Sequence, residues 1–245
     1  MGKIEIGPIG LLPPSAASMG IFQPEKGSGL ELVEGEHMAE DKAYEKFAVE
    51  MLTRRNPTLF PGPMIVWGWN EEARHKAEMA LRLVKEIPGM NIIPMPDYRP
   101  IYPKIDPEAV INPCHPNLTV QHNKIHVCAL IGVHCHFANI TLKMIRAGTN
   151  CYTTALCAYD GHEDALLSVS NLDETKLEKI IQAVIKVRES GVVTPWAYTP
   201  EGKEELEEIR ASKEKNKASS KEGATIFMQD KEMLPLEQGL DENAE

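Results

Sequence analysis

The sequence predicts an α/β protein with a doubly wound, mainly parallel sheet. Three observations carry this. Short continuous apolar runs at 64–69, 91–95 and 125–131 read as strands covered on both faces. Helical stripes at 71–86 and 139–146 alternate with them. The first strand, helix and strand fit within roughly 35 residues, the length of a parallel pair with a right-handed crossover.

In chain order, residues 1–36 are rich in Gly, Pro and Ser, and Pro8, Pro13, Pro14 and Pro24 interrupt regular hydrogen bonding. Their apolar side chains, Ile4 to Phe22, leave two readings, a disordered tail or an arm ordered on another subunit. Tyr44, Phe47, Ala48, Met51 and Leu52 form one stripe of a helix at 39–55, which Asn56-Pro57 ends. A proline-rich loop then marks a boundary. This division gives 1–60 as arm plus helix, 61–190 as the α/β domain, and 191–245 as linker, charged helix and disordered tail.

Within the domain, Asn70 is expected to cap the helix at 71–86, and Glu71 and Glu72 suit its positive end. Residues 96–123 read as irregular, with a short turn at 106–110. A fourth strand is expected at 151–158, then a loop at 159–164. Asn171, with Glu174 three residues on, reads as a capping box for the last long helix. Residues 201–217 read as a solvated helix, and Ile226-Phe227-Met228 as a small docking motif.

The net charge of -10 argues against non-specific nucleic-acid binding. Residues 201–245 hold thirteen acidic and seven basic side chains, so the body is only mildly acidic. No apolar run approaches the ~20 residues of a membrane helix. The expectation is a cytoplasmic protein that touches neither membrane nor nucleic acid. Five cysteines without CxxC spacing point to reduced thiols and to no iron–sulfur cluster of the chain's own.

His134-Cys135-His136 opens the helix after the third strand. Neighbours on a helix do not share a face, so these histidines would bind one metal only from an irregular turn, with His162 or Cys114-His115 adding ligands. No established zinc spacing appears, and a histidine cap beside a buried free cysteine is the favoured reading. Cys135 is the candidate for a catalytic thiol. His126 and Cys128 share a strand face and suit packing or a subunit contact. Cys151 and Cys157 also share a face, but roughly 20 Å apart on a straight strand. For a nucleotide, the strand-to-helix turns at Gly68-Trp69-Asn70 and at Gly132, His134 and His136 offer helix N-termini, although neither GxGxxG nor a P-loop is present.

Several fragments resemble a known family. Gly62-Pro63-Met64-Ile65-Val66-Trp67-Gly68, the strand at 125–132 followed by His136-Phe137-Ala138-Asn139, and the segment 158–172 are similar to the epsilon subunit of archaeal acetyl-CoA decarbonylase/synthase, the carbon monoxide dehydrogenase beta-subunit family. The likeness covers residues 61–188. It implies a Rossmann-like domain and a non-catalytic accessory subunit in a hetero-oligomer of anaerobic one-carbon metabolism. The implied partners are larger metal-containing catalytic subunits. FAD is the implied cofactor, with assistance to electron transfer. The sequence departs from the family at His134-Cys135-His136-Phe137 and at Gly161-His162-Glu163-Asp164, and no catalytic residue carries over. Two other readings remain open. One is a stand-alone flavin or nicotinamide nucleotide-binding protein. The other is a metal-dependent enzyme using His134, His136 and His162.

Overall fold

The computed structural model describes residues 14–95 and 115–219. The turn expected at 106–110, Cys114, Ile226-Phe227-Met228 and most of the apolar residues of the N-terminal arm lie outside the described residues.

A seven-stranded sheet organises the chain. Its strands are β1 (Leu30–Val33), β2 (Glu36–Ala39), β3 (Thr58–Pro61), β4 (Asn91–Ile92), β5 (Val127–Ile131), β6 (Tyr152–Leu156) and β7 (Leu167–Val169). Their order is β2-β1-β7-β6-β5-β3-β4. The five from β7 to β4 are parallel, and β1 and β2 add antiparallel at one edge. The helices are α1 (Glu40–Thr53), α2 (Pro63–Val66), α3 (Glu71–Glu86), α4 (Pro116–His122), α5 (Cys135–Gly148), α6 (Glu174–Glu189) and α7 (Pro200–Ser219).

The sheet is covered on both faces, which is why β5 and β6 are buried at every position. Alternate residues serve different cores. Leu59, Val127, Ala129, Ile131 and Leu156 pack with side chains of α1, α3 and α6. Phe60, Cys128, Leu130 and Ala155 pack with side chains of α4 and α5. Truncating a fully buried side chain such as Phe47 to alanine is worth about 3–5 kcal/mol.

Helix starts follow local chemistry. Asn70 caps α3, its side-chain oxygen accepting from the Ala73 N–H at 2.8 Å. The α6 cap is Asp173, which accepts from the Lys176 N–H at 2.7 Å. The expected cap, Asn171, instead takes a positive φ of 49° in the turn before the helix.

The first parallel strand is also displaced from its expected place. Residues 64–66 are helical, and the strand is β3, in the stretch read as a proline loop. The reason lies at Gly62. Its N–H donates to the Ile131 carbonyl at 2.8 Å, and the chain then leaves the sheet. Pro63 follows at the first helical position, where its missing N–H costs nothing.

Other elements were absent from the expectation. The hairpin β1–β2 turns at Glu34 and Gly35, with φ of 52° and 81°. The strand β7 is three residues long, and α4 lies in a stretch read as irregular. Helix α5 begins at Cys135, inside the His134-Cys135-His136 segment expected to open it and a turn ahead of the stripe at 139–146. The sheet therefore continues across residue 61, with α1 packed on α6.

The described part of the N-terminal arm lies on its own chain. Ala16 and Ile21 are in the core, and the Pro14 carbonyl accepts from Arg146 at 3.0 Å. After α6, Trp196 and Ala197 are buried. From α7, Glu205 accepts from Arg55 at 2.6 and 2.7 Å and from Asn56 at 3.1 Å, closing the corner between α1 and β3.

Candidate functional site

Counted among themselves, the parallel strands run 2-1-3-4-5, so the winding direction reverses between β3 and β5. Ligand crevices of such sheets open at that point, but here it is shut by backbone contact. A Cβ on Gly62 would stand 2.3 Å from the Gly132 carbonyl oxygen. One on Gly132, which has a φ of +64°, would stand 2.9 Å from Ile65. A cleft open to solvent lies over the carboxyl ends of β5 and β6, walled on one side by residues that follow β3. Met64, Ile65, Leu130, Val133 and Leu172 give it apolar walls, and Glu72, Lys76, Cys157, Tyr159 and His162 are ionisable groups that line it. Glu72 is held below the usual carboxylate range by its 2.7 Å bond to Lys76.

Two of the residues expected at a cofactor, Asn70 and Gly132, line this cleft. Gly68 is buried in a turn with φ +55°, its carbonyl accepting from Arg74 at 3.2 Å. Trp69 is 76% exposed beside it. His134 takes the N-cap position of α5 without a side-chain cap bond, and the first turn of α5 has no acidic residue. The rings of His134 and His136 meet edge-on with centroids 4.3 Å apart, and His136 lies 4.7 Å from Phe137. Both histidines are exposed, and neither lines the cleft.

The structure assembles a different cluster. Cys135 at the start of α5, Cys157 just past β6 and His162 in the following loop bring one ligand atom each to within 4.8 Å of one another. Cys157 and His162 also face the cleft. The Nδ1 of His162 is 2.7 Å from Asn139 Oδ1, an acceptor, so Nδ1 carries the proton and Nε2 the lone pair. Burial pushes the His162 imidazole down to about 4, against the pull of Asp164, so it is neutral at pH 7. Burial pushes the Cys157 thiol up, partly offset by N–H groups of Tyr159 and Gly161. The Tyr159 N–H donates to the sulfur at 3.4 Å.

The loop is held in place from several sides. The His162 N–H donates to Ser168 Oγ at 2.8 Å. Gly161 has a φ of +85°, and a Cβ there would meet the Gln23 amide at 2.7 Å, so the tight turn requires glycine. Asp164 accepts from Arg146 at 2.7 Å, and both are buried.

Of the four histidines offered as metal ligands, His115, His134, His136 and His162, only His162 belongs to this cluster. Its companions are cysteines that sequence reasoning left unjoined. One signal was available: Cys135 and Cys157 follow adjacent parallel strands, and residues at such carboxyl ends converge in space.

The fold is that of a doubly wound α/β protein with a 2-1-3-4-5 strand order. Residues 23–184 match the CO dehydrogenase beta subunit/acetyl-CoA synthase epsilon subunit family, and the chain belongs to it. The matched span begins ahead of the hairpin, so β1, β2 and α1 are part of the family domain, although the fragments noted in the sequence began at residue 61. No curated protein matches the chain.

Proposed function

We propose that the chain is a non-catalytic accessory subunit of an anaerobic complex of the carbon monoxide dehydrogenase/acetyl-CoA synthase type, bound to its metal-containing catalytic subunit. The family match over residues 23–184 is the observation that carries this. The surface agrees with a docking role, because the segment after β3 exposes Met64, Trp67 and Trp69, and Tyr159 is exposed at the cleft. Large exposed aromatics of this kind are the usual anchors of an interface. Affinity purification of the full chain from its native anaerobic cell is expected to bring down the nickel–iron–sulfur subunit. Isolation of the chain alone under anaerobic conditions would overturn the reading. Trp69→Ala should weaken the complex by about 30-fold, the effect of an interface anchor worth ~2 kcal/mol.

The cleft favours a second reading, that this subunit holds a flavin or nicotinamide nucleotide, FAD foremost, and so assists electron transfer. Its apolar walls fit a planar ring, and the acid-free start of α5 fits a phosphate. Asn70, Gly132 and Lys76 would hold the ligand, and the flavin would supply one- and two-electron redox chemistry. Titration of the purified chain with FAD, followed by flavin fluorescence, tests this. An unchanged signal at millimolar FAD rules it out.

A further inference from the structure

We propose that Cys135, Cys157 and His162 form a binding site for one thiophilic divalent cation, zinc by preference, with its fourth coordination position open to the cleft. The argument begins with the donor set. Two thiolate sulfurs and one imidazole nitrogen select zinc or a similarly soft ion over magnesium or calcium, which take oxygen ligands. A four-cysteine iron–sulfur cluster needs ligands that this group does not have.

The geometry is close to what the ion requires. Tetrahedral zinc, with bonds of about 2.3 Å to sulfur and 2.0 Å to nitrogen, sets its ligand atoms about 3.5–3.8 Å apart. The three atoms already lie within 4.8 Å of one another. Closing on an ion therefore takes side-chain shifts on the order of 1 Å, not a refolded loop.

The surroundings add an independent observation. A metal-bound histidine characteristically donates its other ring N–H to a fixed acceptor, which sets the tautomer and the ring plane. Asn139 does this for His162, through Nδ1 at 2.7 Å. The Tyr159 N–H aimed at the Cys157 sulfur stabilises a charged thiolate. Cys135 begins α5, whose positive end offsets thiolate charge. The turn at Gly161 and the Asp164–Arg146 pair hold the loop that presents His162. Binding releases both thiol protons to solvent and leaves the imidazole with its Nδ1 proton, and no electron moves. Three protein ligands and a water facing the cleft is the pattern of an open zinc site, so a small polar molecule in the cleft could take the water's place.

The test uses the full chain, reduced and stripped with a chelator, then titrated with Co²⁺ alone. Thiolate-to-cobalt charge-transfer bands are expected to saturate at one Co²⁺ per chain and to vanish on addition of one equivalent of Zn²⁺. Cys157→Ser and His162→Ala should each abolish the bands at that stoichiometry. Asn139→Ala, which removes only the acceptor of the histidine, should weaken binding about 10–100-fold. Cys128→Ser should leave the bands unchanged. Circular dichroism confirms folding, and the half-buried Cys135→Ser serves if Cys157→Ser does not fold. Absent charge-transfer bands in the wild-type chain overturn the proposal. So do bands that survive both cysteine substitutions. A Cys135–Cys157 disulfide formed in air, without Co²⁺ binding in the reduced chain, would also overturn it and mark a redox pair instead. None of these outcomes depends on whether a partner subunit co-purifies.

Discussion

Cys128 and Cys151 meet within the sheet's α4–α5 core, whereas Cys135 and Cys157 meet at its carboxyl edge. The first pair is sealed among side chains such as Phe60, Leu142 and Ile145. Burial, then contact with Cys128, pushes the Cys151 thiol well up. The second pair has a histidine of fixed tautomer, backbone N–H groups aimed at one sulfur and a route to solvent. The difference shows that sulfur beside sulfur is not a site. A neutral base, donors for the thiolate and access make it one, and parallel strands supply all three at their carboxyl ends.

The largest expected effect comes from the loop that separates the two cases. Asp164→Ala leaves Arg146 charged and buried without its carboxylate, which should cost about 3–5 kcal/mol in urea unfolding. It should also impair Co²⁺ binding at the carboxyl-edge cluster while Cys128 and Cys151 stay inaccessible to maleimide in the folded protein. A stability loss under about 1 kcal/mol would show that the loop is not fixed by this pair.

A smaller contrast separates the pairs directly. Cys128→Ser puts a hydroxyl into an apolar core and should cost about 1–3 kcal/mol. Cys157→Ser keeps an acceptor for the Tyr159 N–H and should cost less than about 1 kcal/mol in the metal-free chain. Equilibrium unfolding ranks the two, and the reverse order would break the comparison.

The smallest effect is far from both pairs. His75 on α3 bonds Glu174 on α6 at 2.7 Å, which raises its imidazole above the ordinary 6.5. The folded chain thus holds this proton more tightly. The stabilisation is complete below pH 6.5 and is lost as pH rises through the raised folded value. Glu174→Gln should return the His75 NMR titration towards 6.5 and leave all four described cysteines unaffected.

Elements with local chemistry were legible in the sequence. The α1 stripe and the Asn70 cap each rest on neighbours within a few residues, and the expected helix at 71–86 is α3 itself. The buried run of β5 was legible for the same reason. Elements that depend on distant partners were not. Thr58–Pro61 is four residues ending in proline, and only β4 and β5 on either side make it a strand. Three-residue β7 is too short for alternation to show, although the Glu34-Gly35 turn of the hairpin carried a readable glycine signal. At the site, His134 and His136 stand out in the sequence because they flank Cys135. Adjacency on a helix start sends neighbours to different sides, so both histidines face solvent while Cys135 reaches the cluster. Cys157 and His162 come from a strand end and a loop, and nothing in their spacing from Cys135 announces a shared ion.

The clamp from α7 onto the α1–β3 corner has a consequence for how the chain can be divided. The family match ends at residue 184, yet Glu205 still holds Arg55 and Asn56, and Trp196 is still buried. A chain cut at the end of α6 would keep every strand and lose both. The family match and the contacts that hold the α1–β3 corner therefore end some twenty residues apart, at residue 184 and at Glu205, and a truncation designed on the first would remove the second.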